Sequence, residues 1–211
     1  MQPARSGAVA GVVLAAGAST RMGRNKLLIE IDGETLLRRA VRQAIGADLD
    51  PVIVVLGHEA GRARDAVAGL PCRPVVNEGY MHGVNASLRA GIGAVPPEAV
   101  ATVVVLADMP LVTAPMIATL VERYRATAVP LVVSEYLGVI APPTLYDRAL
   151  FGELLATDAE GCVRRVVRRH EDEALRVAWP PLALTDLDVP EDVERVKALI
   201  RARVDGDRHA C

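Results

Sequence analysis

The feature that most constrains this chain is a repeated alternation of short, nearly unbroken apolar runs with segments of helical periodicity. The runs are Ala8–Ala16 (AVAGVVLAA), Val52–Leu56 (VIVVL), Val103–Ala107 (VVVLA) and Val129–Val133 (VPLVV), with Pro74–Val76 a shorter candidate. A strand covered on one face alternates apolar and polar residues; a run that is apolar throughout reads as a parallel strand covered on both faces. Between the runs, Leu36, Leu37, Ala40, Val41, Ala44 and Ile45 recur at three- and four-residue steps, the spacing of one buried helix face. Val84–Ile92, Ala114–Tyr124 and Pro143–Leu155 also read as helices. Pro190–Arg203 opens with a proline and two acids, which suit a helix N-terminus. The pattern predicts an α/β sandwich with a mostly parallel sheet. A length of 211 residues suits one domain, residues 1–203, with Val204–Cys211 as a polar, frayed tail.

Charge and composition narrow the function classes. The formal net charge is -2, from 24 Lys+Arg against 26 Asp+Glu, which argues against a nucleic-acid-coating surface and a polybasic membrane anchor. One Trp, four Tyr and one Phe are too few for a platform that stacks single-stranded bases. No apolar run approaches the ~20 residues that cross a bilayer. Arg5 followed by Ala8–Ala18 has the outline of a short secretion leader, but Gly11 and Gly17 break it and its centre suits a buried strand. Cys72, Cys162 and Cys211 are scattered and form no metal-ligand spacing. Reduced thiols of this kind fit a cytoplasmic protein.

Open parallel sheets bind ligands beyond the carboxyl ends of their strands, so the loops after the apolar runs carry the chemistry. After the first run comes Leu14-Ala15-Ala16-Gly17-Ala18-Ser19-Thr20-Arg21-Met22-Gly23-Arg24-Asn25-Lys26. Small residues admit a ligand close to the backbone. Positive φ at Gly17 and Gly23 would turn successive N–H groups into one concavity for phosphate oxygens. Ser19 adds a hydroxyl, and Arg21, Arg24 and Lys26 add positive charge. Only Lys26 and Lys197 among the 24 cationic residues are lysine, which makes Lys26 a candidate phosphate point charge. Neither GxxxxGK[ST] nor GxGxxG is present; an ordinary glycine-rich turn is the plain alternative. The run Val103–Ala107 ends in Asp108-Met109-Pro110. A carboxylate at a strand exit can hold Mg2+ together with substrate phosphates, or can simply serve the turn. Asp188, in Asp186–Asp192, is a candidate second metal carboxylate or helix N-terminal charge. Asn77, Gly83 and Ser87 surround a helix start that suits a base or sugar contact. No Ser or Cys partners His58, His170 or His209 in a hydrolytic pattern. Arg164, Arg165, Arg168 and Arg169 read as a solvated face or an anionic-substrate patch.

LAAGASTRMGRNK after a first strand resembles the MobA-like nucleotidyltransferases, and within them the molybdenum cofactor cytidylyltransferases. Asn77-Glu-Gly-Tyr-Met-His-Gly83-Val-Asn-Ala-Ser87-Leu, Leu106-Ala-Asp108-Met-Pro110, Asp158-Ala-Glu-Gly161 and Asp186-Leu-Asp188-Val-Pro190-Glu-Asp192 resemble later family segments, in family order over residues 12 to 193. Thr157 replaces a usual glycine, and Gly138–Pro143 lacks a Gly-His-Pro found in many cofactor cytidylyltransferases. The resemblance implies a Rossmann-like three-layer sandwich that binds a nucleoside triphosphate with Mg2+ and transfers the nucleotidyl group to a phosphate-bearing acceptor, releasing pyrophosphate. Leu14-Ala15-Ala16-Gly17 implies CTP, and the implied acceptor is molybdopterin. GTP or a sugar-phosphate acceptor stays open. On this reading Arg21, Lys26 and Asp108 are catalytic, Asp108 and Asp188 hold metal, and Leu14–Gly17, Ser19, Gly23, Asn77, Gly83 and Ser87 bind nucleotide. The rival implications are a non-catalytic nucleotide-binding maturation factor for a molybdenum enzyme and an NADPH-dependent oxidoreductase on the same scaffold.

Overall fold

Parity along the first apolar run divides the molecule into layers. The run forms β1 (Val9–Ala15), buried at every position. Val9, Val13 and Ala15 enter one apolar cluster, and Ala10, Val12 and Leu14 enter another on the opposite side, as the two-residue period of a strand requires. The computed structural model describes residues 6–19, 22–127, 129–156, 162–185 and 192–208. After β1 come β2 (Glu30–Ile31), β3 (Glu34–Thr35), α1 (Leu36–Gly46), β4 (Val52–Leu56), α2 (Ala60–Ala66), β5 (Arg73–Val76), α3 (Val84–Gly93) and β6 (Ala101–Leu106). They are followed by α4 (Ala114–Ala126), β7 (Leu131–Tyr136), β8 (Val139–Asp147), α5 (Phe151–Leu155), α6 (Cys162–Arg169), β9 (Leu175–Ala178) and α7 (Asp192–Arg208).

Seven strands make one sheet in the order β5-β4-β1-β6-β8-β7-β9, and β2-β3 form a small hairpin apart from it. β5, β4, β1 and β6 are parallel, β7 and β9 are parallel, and β8 runs against both β6 and β7. Side chains of α1, α2 and α4 cover one face; those of α3, α5 and α6 cover the other. This is the three-layer, mostly parallel sandwich the sequence predicts. Close packing depends on Gly91 of α3: a Cβ there would lie 2.4 Å from Val12 Cγ1. No helix among the described residues is long and apolar enough to cross a membrane.

A third cluster positions the site. Met22 and Ile29 from the first loop, Ile31 and Leu36 near the hairpin, and Leu111 after β6 pack against Val193, Val196 and Ile200 of α7. Arg201 of α7 also donates to Asp32 Oδ1 in the hairpin at 2.6 and 2.9 Å. That guanidinium holds the Asp32 carboxyl below its ordinary value.

Two sequence expectations are corrected here. Pro143–Leu155 is not one helix: Val139–Asp147 is a strand, Arg148–Leu150 a 3-10 turn, and only Phe151–Leu155 is helical. β8 lies between β6 and β7, so Leu145 and Tyr146 are buried on opposite faces, and two covered faces hide the strand's period. Pro142 and Pro143 fall in an irregularity opposite Val133 and Ser134, where missing N–H donors are tolerated. Their carbonyls accept instead from Tyr136 Oη (2.9 Å) and Ser134 Oγ (2.7 Å). The last helix also runs beyond Arg203 to Arg208. Gly206 alone costs a helix only about 1 kcal/mol relative to Ala, too little to stop it.

Candidate active site

β1 and β6 are neighbours in register, Leu14 opposite Leu106, and Ala107 N–H donates to Leu14 O at 3.1 Å. Their exits therefore open on the same sheet edge. The loop after β1 turns sharply at Ser19, whose φ is 51° and whose carbonyl accepts from Met22 N–H at 2.9 Å. Ser19 Oγ accepts from Lys26 N–H at 3.1 Å. Asn25, buried, accepts from Leu27 N–H at 3.1 Å and caps the turn Lys26–Leu28. These bonds hold the Lys26 backbone while its ammonium crosses the edge. Lys26 Nζ lies 2.8 Å from Asp108 Oδ2, with side-chain exposures of 13% and 27%.

A cleft of about 400 Å³ opens at this edge. Leu14, Ala15, Ala16, Gly17, Ser19, Lys26, Gly83, Ser87 and Asp108 all line it. Asn77 stands behind the wall, donating from Nδ2 to Ser87 Oγ at 3.1 Å. Gly23 takes positive φ (65°) but does not line the cleft, whereas Gly17 lines it without positive φ. The turn strain falls on Ser19 instead. Gly17 contributes open space: a Cβ there would meet nothing within 4 Å. Arg21 and Asp188 lie outside the described residues.

Sequence reasoning missed Leu27, Tyr80, Met81, Val84 and Leu106 as lining residues. The signal for Tyr80 was its rarity, one of six aromatics, within the stretch already singled out. Gly83, at φ 89° and ψ 179°, begins α3; a side chain would strain that conformation. A smaller neighbouring cleft of about 290 Å³ is edged by Arg24, Arg62 and Lys197. Glu59 and Glu194 already pair with the last two, so the charge available to a ligand there is small.

The large cleft is electrically two-ended. Lys26 and Asp108 mark a polar end, while Leu14–Ala16, Tyr80, Met81, Gly83, Val84 and Ser87 form a wall without formal charge. A polyphosphate with an attached base matches that division. Among the described residues no three His, Cys, Asp or Glu side chains cluster as a metal cage. One half-exposed carboxylate fits a hard cation that keeps most of its ligands from substrate phosphates and water.

Fold and cleft together define a mostly parallel α/β sandwich with an open cleft at the exits of its central strands. Residues 11–174 match the MobA-like NTP transferase domain, and the chain belongs to that family of nucleotidyltransferases. It is 41% identical over 91 residues to a probable molybdenum cofactor guanylyltransferase of Opitutus terrae, covering 43% of this chain and 45% of that protein. The chain thus spans less than half of that relative's length. It is 28% identical over 203 residues to the purine catabolism protein PucB of Bacillus subtilis, covering 92% of this chain and 98% of that one. Among solved structures, Rv0371c of Mycobacterium tuberculosis superposes with a TM-score of 0.81 at 30% identity, covering 92% of this chain and all of that one. A complex of Rv0371c with manganese gives 0.76 at 29% identity, over 90% and 98% of the two chains.

Proposed function

We propose that the protein transfers a cytidylyl group from CTP to the terminal phosphate of molybdopterin and releases pyrophosphate, with Mg2+ as its cofactor. The carrying observation is the 2.8 Å approach of Lys26 and Asp108 across the exits of two adjacent strands. One cation and one carboxylate at that distance can share a single metal–triphosphate ligand.

In this reading an acceptor phosphate oxygen bonds to the α-phosphorus and the bond to the β-phosphate oxygen breaks. Lys26, with Arg21, would neutralise the departing pyrophosphate. Asp108, with Asp188, would hold the cation. Bound Mg2+ would supply charge neutralisation at the phosphate oxygens. Backbone groups of Ala15–Ser19 would cradle the phosphates. Positioning and charge stabilisation suffice for such transfer without a covalent enzyme intermediate.

Two observations bear on the base, in opposite directions. Ala16 lines the cleft with a methyl group where glycine would leave more room, which favours the smaller pyrimidine. The Opitutus relative is named a guanylyltransferase, which favours GTP as the second reading. Molybdopterin rests on the family segments and on that relative's name. A molybdenum-enzyme maturation partner would receive the product.

Pyrophosphate release with Mg2+ and molybdopterin, measured for each nucleoside triphosphate, tests this. Release with CTP supports the reading, and release with GTP alone corrects the base. Tight nucleotide binding without release from any triphosphate replaces the transferase by a binding factor.

A further inference from the structure

The loop that carries Asp108 is held from outside the sheet. It runs from Ala107 to Thr113, between β6 and α4. Its first residue is tied to β1, where Ala107 N–H donates to Leu14 O. Beyond Asp108 the ties come from α1. Arg39 Nε–H donates to the Pro110 carbonyl at 3.2 Å, and Pro110 is buried. Gln43 Oε1 accepts from Ala114 N–H at 2.7 Å. Ala114 opens α4, and Thr113, in the capping position, makes no side-chain cap bond. Gln43 thus satisfies a donor that a helix start leaves over. Arg39 and Gln43 are four residues apart and share one side of α1. A Cβ at Gly46 would lie 3.3 Å from the Ala114 Cβ, so α1 and the start of α4 pack closely.

The same helix reaches the other half of the ion pair. Leu36 N–H, the first of α1, donates to Ile29 O at 3.1 Å, and Ile29 N–H donates to Lys26 O at 3.1 Å. One helix therefore supports the cation's loop at its start and the carboxylate's loop along its length. We infer that Arg39 and Gln43 are positioning residues that act through Asp108: they fix the loop after β6 so that its carboxylate faces Lys26 and can take a divalent cation brought by a polyphosphate. This rests on the nucleotidyltransferase reading above, but on no choice of base or acceptor. Neither side chain lines the cleft, so neither needs to touch the ligand. Without them the Pro110 carbonyl and the Ala114 N–H would each lose a partner, and the loop between would shift to find others.

A residue that acts only through Asp108 has two signatures. Its loss matters only when a cation is present, and it costs nothing further once Asp108 is gone. Wild type, Arg39→Met, Gln43→Leu and Asp108→Ala are titrated by calorimetry with inorganic tripolyphosphate, once with Mg2+ and once with a chelator. Arg39→Met and Gln43→Leu are also each combined with Asp108→Ala. The expected result is a loss of about tenfold in affinity with Mg2+ in both single variants. Without Mg2+ both should keep wild-type affinity, and neither should add to the loss in Asp108→Ala.

Equal losses with and without Mg2+, or losses that add to that of Asp108→Ala, overturn the inference by showing a general structural or electrostatic role; the nucleotidyltransferase reading then stands. Wild-type affinity with Mg2+ in either variant overturns the role of that residue. If one variant does not fold, the other decides by the same criteria. An Asp108→Ala protein that keeps wild-type affinity with Mg2+ overturns the assignment of the cation to Asp108, and the inference with it. A wild-type protein that binds neither tripolyphosphate nor any nucleoside triphosphate with Mg2+ overturns the whole reading beneath.

Discussion

From β5 to β6 the sheet is a set of parallel ladders between apolar runs. From β8 to β9 it is built around a reversed strand with two prolines, whose carbonyls are satisfied by Ser134 and Tyr136 side chains. The first half delivers β1 and β6 to the cleft edge. The second closes the core through specific buried polar contacts: Ser134 Oγ donates to Pro143 O and accepts from Trp179 Nε1–H at 3.0 Å. Tyr136 is buried enough that its phenol is pushed up to about 12. The cleft edge and the buried polar contacts therefore occupy different halves of one sheet.

Substitutions can break that division. The largest effect is expected at the cleft: Asp108→Ala and Lys26→Ala should each lower turnover by about 10²–10³, or ~2.7–4 kcal/mol, if they act like lost charge-stabilising donors. Pyrophosphate release checks this, and near-wild-type turnover in either variant removes that residue from the mechanism. Next is Ser134→Ala in the other half. It leaves the Pro143 carbonyl and the Trp179 indole without their partner, at about 1–3 kcal/mol of stability for a buried group left unsatisfied. Denaturant unfolding should show that loss with nucleotide affinity unchanged; a matching loss of affinity would dissolve the distinction between the halves. Gly91→Ala should cost about 1–3 kcal/mol by overpacking against Val12. Because α3 also carries Ser87, its nucleotide affinity should fall with its melting temperature.

The smallest effect is expected at Asp32→Asn, on the hairpin that α7 holds. Arg201 keeps the Asp32 carboxyl below the ordinary carboxylate range by its hydrogen bonds. A depressed carboxyl contributes stability above its unfolded value and loses it as pH falls through the folded one. The melting difference between wild type and Asp32→Asn should be constant near neutrality, begin to shrink as pH falls through about 4, and vanish only below the lowered folded value. A difference that does not shrink at all in acid would show that the carboxylate is not its source.

Legibility in the sequence follows the same boundary. β1 and β4 in the first half are apolar throughout, and β6 nearly so, because both faces are covered, so Val52–Leu56 is recognised with its observed ends and Val103–Ala107 within a residue or two. The cleft residues follow from strand exits, a rule of topology. The second half is opaque because β8 owes its place to neighbours far away in the chain, and Leu145-Tyr146 read equally well as helix. The β2–β3 hairpin was also passed over, although Asp32-Gly33, with φ of 52° and 80°, is a recognised hairpin turn pair. The Asn77–Ser87 bond was beyond reach: spacing brings both residues near one helix start, but only coordinates place Nδ2 3.1 Å from Oγ.

The apolar cluster behind the first loop has a bearing on how the protein is made. Ribosomal synthesis delivers Met22 and Ile29 early, and Val193, Val196 and Ile200 late. Until those late residues are made, the loop after β1 has only Ile31, Leu36 and Leu111 of that cluster at its back. In a nascent chain of this design the loop beside the cleft gains the last part of its apolar support only when α7 emerges.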